Sequence, residues 1–139
     1  MKSIVLTALC GCVLLIDGPA AGDDAPNVDC GNAMTQLDMN ICAQRDHATA
    51  DTALNAQYAL TRKAMADIDA GLESNLQGAA KGLLAAQRAW IAYRDAECET
   101  EGFQARGGSM EPMLVSGCLA QLTIKRTAEL KALADGLGN

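Results

Sequence analysis

At 139 residues and a formal charge of −6, with one Trp, two Tyr and one Phe, the chain is the size of one small domain whose core must be mostly aliphatic. Its acidity argues against nucleic acid and anionic membranes as partners and favours a cationic protein. Its leading apolar run falls short of the roughly 20 residues that a bilayer span requires, so no integral membrane segment is expected in the mature chain.

Lys2 precedes a mostly apolar run over residues 4–16, which Asp17-Gly18-Pro19-Ala20 then breaks. A short basic region, a short apolar region and small residues at the cleavage positions make a secretory signal peptide over residues 1–20, with cleavage after Gly22 as the rival. Leu9-Cys10-Gly11-Cys12 resembles a lipid-attachment box, but apolar residues continue past Cys12 and the membrane-inserting run would be cut in half. That argues against a lipid anchor. A periplasmic or secreted domain over residues 23–139 is expected, still at −6 because the losses of Lys2 and Asp17 cancel.

Removing the leader reduces six cysteines to four: Cys30, Cys42, Cys98 and Cys118. An even number in an exported chain predicts two disulfides. No two of them have the close spacing of a structural zinc site, so no metal is expected.

Residues 23–32 are polar, contain Pro26 and Gly31, and read as an extended lead-in. Thr35 with Asp38 three residues later resembles a capping box and predicts the start of a first helix. Its apolar face begins with Leu37 and Ile41 and continues with Leu54, Tyr58, Met65 and Ile68; Gly71, suited to a left-handed cap, should end it. Ser74 with Gln77 is a second capping box, expected to start the second helix.

That helix carries the richest stretch of the chain, Ala86-Gln87-Arg88-Ala89-Trp90-Ile91-Ala92-Tyr93-Arg94-Asp95-Ala96-Glu97-Cys98. At 3.6 residues per turn, Leu76, Leu83, Ala86, Trp90 and Tyr93 line up, so Leu83, Trp90 and Tyr93 are expected in the core, with Arg88 and Asp95 outside the stripe. Gly78 and Gly82 cost about 1 kcal/mol each relative to alanine and predict either a close helix approach or frayed first turns. The helix should end near Gly102, where Glu97, Glu99 and Glu101 oppose the helix dipole. Residues 103–108 form the second connection, tipped by Arg106-Gly107-Gly108-Ser109. Ser109 is expected to cap a third helix with Glu111 and Pro112 in its first turn. Leu114, Leu119, Leu122, Leu130 and Leu133 supply its apolar positions, and Gly136 and Gly138 end it. The fold expected is all-α, a three-helix up-down-up antiparallel bundle.

Chemistry-bearing patterns are scarce. The run from Asp67 through Asp69 and Gly71 to Glu73 fails as a calcium loop, because its glycine comes one position early and no glutamate stands at the twelfth position. His47, the only histidine, has no partners at metal-site or triad spacing, and Arg94 beside Asp95 lacks a nucleophile or a base. Gly107-Gly108-Ser109 ahead of a helix offers backbone N–H groups to an anion, but ordinary turn chemistry explains it equally well. No catalytic residue and no cofactor is expected, and the sequence argues against an enzyme.

The run Cys30-Gly31-Asn32-Ala33-Met34-Thr35-Gln36-Leu37-Asp38-Met39-Asn40-Ile41-Cys42-Ala43 resembles the opening motif of the LprI-type lysozyme inhibitor family. The stretch from Ala85 to Cys98 is similar to that family's central Ala-Gln-Arg-Ala-Trp motif with its aromatic-Arg-Asp-Ala-x-Cys ending. Gly107-Gly108-Ser109, then Cys118, Thr123 and Arg126, follow in the family's order. Leu37 and Asp38 stand near a position where glutamate is more usual, and Tyr93 where phenylalanine is common. The resemblance implies an exported, disulfide-bonded helical domain that binds lysozyme and blocks it; an envelope interaction domain without inhibitory activity is the rival.

Four cysteines allow three connectivities, and height in the bundle does not choose among them. Cys30–Cys42 with Cys98–Cys118 is favoured because it joins near neighbours in the sequence. Many lysozymes are cationic with a cleft that holds catalytic carboxylates, so the narrow second connection is the expected contact element. Arg106, Gly107, Gly108 and Ser109 would enter the cleft, while Glu99, Glu101 and Glu111 would meet its cationic rim.

Overall fold

The computed structural model of the chain describes residues 27–136; the expected signal peptide with both cleavage sites, the Cys12 box and Gly138 lie outside that range. After one 3-10 turn at Cys30–Asn32, three helices follow: α1 (Gln36–Gly71), α2 (Ala79–Gly102) and α3 (Glu111–Asp135). There is no strand among the described residues, and none of their helices is long and apolar enough to cross a membrane. Gln36 meets Met113 at the beginning of α1 and α3, and the Thr61 hydroxyl donates to the Leu130 carbonyl farther along both. These two helices are therefore parallel, with α2 running back between their ends: the up-down-up order expected. Disulfides join Cys30 to Cys42 and Cys98 to Cys118, the favoured pairing.

The most extensive packing is between α1 and α3. Ala50, Thr61, Ala120 and Thr123 are buried there, small enough to let two backbones approach closely. Leu54, Met65, Leu83 and Leu130 form the apolar centre, flanked by Tyr58, Ile68, Ala79, Ala80 and Trp90. Of the other α3 leucines, Leu114, Leu119 and Leu122 are half-buried and Leu133 is exposed.

The helix boundaries follow the sequence in part. Thr35 and Asp38 form the expected capping box: the Asp38 N–H donates to Thr35 Oγ1 at 3.1 Å, and the Thr35 N–H to the Asp38 carboxylate at 3.4 Å. Leu37, assigned above to the apolar face, is instead exposed, because Gln36 and Asn40 make the contacts with α3 and the connection before it. Gly71 is the last residue of α1, but its φ is not positive; Leu72 is the cap, and its N–H donates to Asp69 O.

Ser74 and Gln77 do not cap α2. Residues 74–76 turn before it, which leaves Leu76 exposed and outside the buried stripe. Gly78 is the N-cap at φ 151°, and the cap acceptor comes from the neighbouring helix. The Asp69 carboxylate accepts from the N–H groups of Gly78, Ala79 and Ala80 at 2.8, 2.9 and 3.0 Å. Three of the orphan donors of α2 are satisfied this way by a charge of the sign its N-terminus prefers. Neither Gly78 nor Gly82 permits a close helix approach, since a Cβ at either would meet nothing within 4 Å. That role belongs to Gly102, where a Cβ would lie 2.5 Å from Val115 Cγ2 of α3.

The inward face of α2 is Leu83, Gln87, Trp90, Arg94 and Cys98, about one position round from the expected stripe. Leu83 is buried and Trp90 half-buried against the core. Tyr93 is 55% exposed and is not a core residue; Ala86 is exposed as well. The helix is rotated because Arg94, unlike Tyr93, finds polar partners inside.

Candidate functional site

Both disulfides lie at one end of the bundle. Cys30–Cys42 pins the lead-in to the early turns of α1, and Cys98–Cys118 ties the last turns of α2 to α3. The second connection is held between them. Phe103–Ala105 continues α2 as a 3-10 turn, and Gly107 at φ 76° reverses the chain in a region that favours glycine.

The expected contact residues divide into two groups here. Arg106, Gly107 and Glu111 come together: Arg106 Nη1 donates to Glu111 Oε1 at 2.7 Å, and the Gly107 N–H to Glu111 Oε2 at 2.7 Å. The Gly107 N–H, opposed by partial burial and helped by the Arg106 guanidinium, holds the Glu111 carboxyl below its ordinary range. The Arg106 guanidinium also lies over the Phe103 ring, 4.5 Å from its centroid. Glu111 therefore braces the connection from within rather than standing as a free carboxylate. The Gly108 N–H is taken too, donating to Ala105 O at 2.8 Å.

Ser109 does not cap α3, whose N-cap is Met110 without a side-chain bond. Its carbonyl instead accepts from Asn40 Nδ2 at 3.0 Å, which joins the tip to α1. Glu99 and Glu101 are exposed on the final turns of α2 and make no ion pair with a described residue.

A second polar cluster surrounds Trp90. Arg94, buried on α2, reaches Asp95 at 2.8 Å, Asp51 of α1 at 3.4 Å and Thr123 Oγ1 of α3 at 3.2 Å. Its guanidinium lies 5.2 Å from the Trp90 ring centroid, and that of Arg126 lies 5.9 Å from it. Arg126 in turn donates to the buried Gln87 Oε1 at 3.1 Å and pairs with Glu129. Beside Arg94 a cleft of about 200 Å³ opens between α1 and α2, with Asp51, Tyr58, Gln87 and Arg88 on its walls. The resemblance pointed to Thr123 and Arg126 by order alone; only the packing joins them to Trp90 and Arg94. Each helix supplies one partner to Arg94, Asp51 from α1, Asp95 from α2 and Thr123 from α3, so the knot locks the three together.

The acids that suggested a calcium loop have local duties: Asp67 pairs with Lys63 at 2.6 Å, and Asp69 caps α2. No group of three metal-ligating side chains occurs among the described residues.

The chain belongs to the family described as Lysozyme inhibitor LprI, whose family model matches residues 29–130, a segment that contains both disulfides and reaches the buried Leu130 of α3. An uncharacterized protein of Rhizobium meliloti (strain 1021) is 52% identical over 134 residues, which covers 91% of this chain and 94% of that relative. No solved structure matches the chain.

Proposed function

We propose that this member of the LprI family is an exported protein that binds lysozyme and blocks its hydrolysis of the cell wall. The observation that carries the reading is the extent of the family match, which spans the stapled helical body from the lead-in to late in α3. Two disulfides in so small a domain suit an oxidising compartment, where lysozyme also acts. A net charge of −6 favours encounter with a cationic enzyme by long-range attraction.

Attraction alone would steer without blocking, so a rigid element must cover the cleft. The second connection has the required stiffness, with Gly107 and Arg106 tied to Glu111 and Ser109 tied to Asn40. Arg106 is still more than half exposed and can hydrogen-bond to an acid of the cleft, while Glu99 and Glu101 face a cationic rim.

Lysis of cell-wall substrate by lysozymes of several classes, measured with and without the purified chain, tests the reading. Slower lysis is expected with at least one class, and Arg106→Ala should raise the inhibition constant several-fold. A parent chain that slows none of them would leave an envelope interaction domain as the function.

A further inference from the structure

The end of the bundle that carries both disulfides also carries large apolar side chains in water. Met34 is 79% exposed, Leu37 66%, Phe103 56% and Met110 41%. They come from two segments far apart in sequence, the entrance to α1 and the second connection. The Asn40–Ser109 hydrogen bond and the Gln36–Met113 contact bring those segments to one place. Exposed apolar side chains on a mobile tail would mean little. Here Cys30–Cys42 and the Thr35 capping box hold the first pair, and the Arg106–Glu111 brace holds the second.

The turns of α2 that lead into Phe103 carry Glu97, Glu99 and Glu101, all exposed, where the helix dipole disfavours anions. Carboxylates placed against the local electrostatics, at the same end of the bundle as these apolar side chains, have the composition of an interface: an apolar centre with a charged rim. We infer that Met34, Leu37, Phe103 and Met110 form the partner-binding knob of this chain, and that its occupant is the mouth of the cleft of a cationic lysozyme, whose basic rim meets the glutamates. The inference rests on the proposed inhibition and locates its energy in this knob, with the glutamates contributing chiefly to the rate of association.

Leu37→Ser alters an exposed side chain in the capped first turn of α1 and Met34→Ser one just before its N-cap, so both should leave the circular dichroism spectrum unchanged; Phe103→Ser adds the second segment. With the full exported chain and a lysozyme that the parent inhibits, the Leu37→Ser/Phe103→Ser pair should raise the inhibition constant tenfold or more. Leu37→Ser and Met34→Ser should each raise it at least threefold. Leu60→Ser and Leu76→Ser, equally exposed elsewhere, should leave it within twofold. Glu99→Gln/Glu101→Gln should slow association several-fold at low salt, with no difference at high salt and dissociation unchanged. Folded knob variants that inhibit as the parent does would overturn this surface while inhibition stands. A parent that neither binds nor slows any lysozyme would overturn both readings.

Discussion

Arg94 shows how much one side chain decides. Burying a guanidinium is costly unless its donors are met, and here Asp51, Asp95 and Thr123 meet them from three helices. With those partners present, turning Arg94 inward and Tyr93 outward is the better arrangement, although hydropathy alone ranks them the other way. Glycines show the same dependence on surroundings. At Gly102 an added methyl would press on Val115, a stiff β-branched side chain, and overpacking of that kind costs about 1–3 kcal/mol. At Gly82 it would meet nothing within 4 Å, so only the helix-propensity gain of about 1 kcal/mol remains. Gly102→Ala should therefore lower the urea midpoint and Gly82→Ala should raise it. Denaturation curves with the same sign for both would contradict the packing described.

Among the elements, α2 depends most on a neighbour. Its first turn has no side-chain cap of its own, and Asp69 of α1 supplies the acceptor across the intervening turn. Hydrogen bonds from Gly78, Ala80 and Ala79 hold the Asp69 carboxyl below its ordinary range when folded. The unfolded chain then binds the proton more readily, so the stabilising contribution is complete above the usual carboxylate range and is lost as pH falls through the depressed folded value. Glu111, depressed first of all by the Gly107 N–H, acts in the same direction. Asp69→Asn should lower Tm by a few degrees at neutral pH and flatten its fall below roughly pH 4, where carboxylates titrate. Thermal melts from pH 7 to pH 2.5 would check this; parallel curves for parent and variant would exclude Asp69 as a pH-sensitive cap.

For the whole molecule, the two disulfides differ in what shields them. Cys98 is fully buried and Cys118 nearly so, whereas Cys30 is exposed beside Cys42. Their sequence separations of 12 and 20 residues imply similar chain-entropy contributions, about 3 kcal/mol each. Access should therefore separate them. Mild reduction followed by alkylation should label Cys30 and Cys42 well before Cys98 and Cys118, as peptide mapping over time would reveal. Simultaneous labelling of all four would mean that the bundle opens as a unit once the lead-in is released.

The local rules were strong enough to read in the sequence: helix formers throughout, Thr35 and Asp38 at the start of α1, Gly102 at the end of α2, and an even set of cysteines joined to near neighbours. These depend on residues a few positions apart, or on the short loops a disulfide closes most readily. The rotation of α2 was not legible, because Leu83 and Trp90 belong to both possible stripes and the deciding groups, Asp51 and Thr123, lie on other helices. Nor was the cap of α2, because Ser74 and Gln77 match a local pattern that Asp69 displaces once α1 and α2 are side by side. The exposed cluster of Met34, Leu37, Phe103 and Met110 was hidden for the same reason. Sequence by itself determined which segments are helical and which end is stapled. Only tertiary structure decided which side of each helix faces water, since that balance is set by polar partners that reach across the bundle.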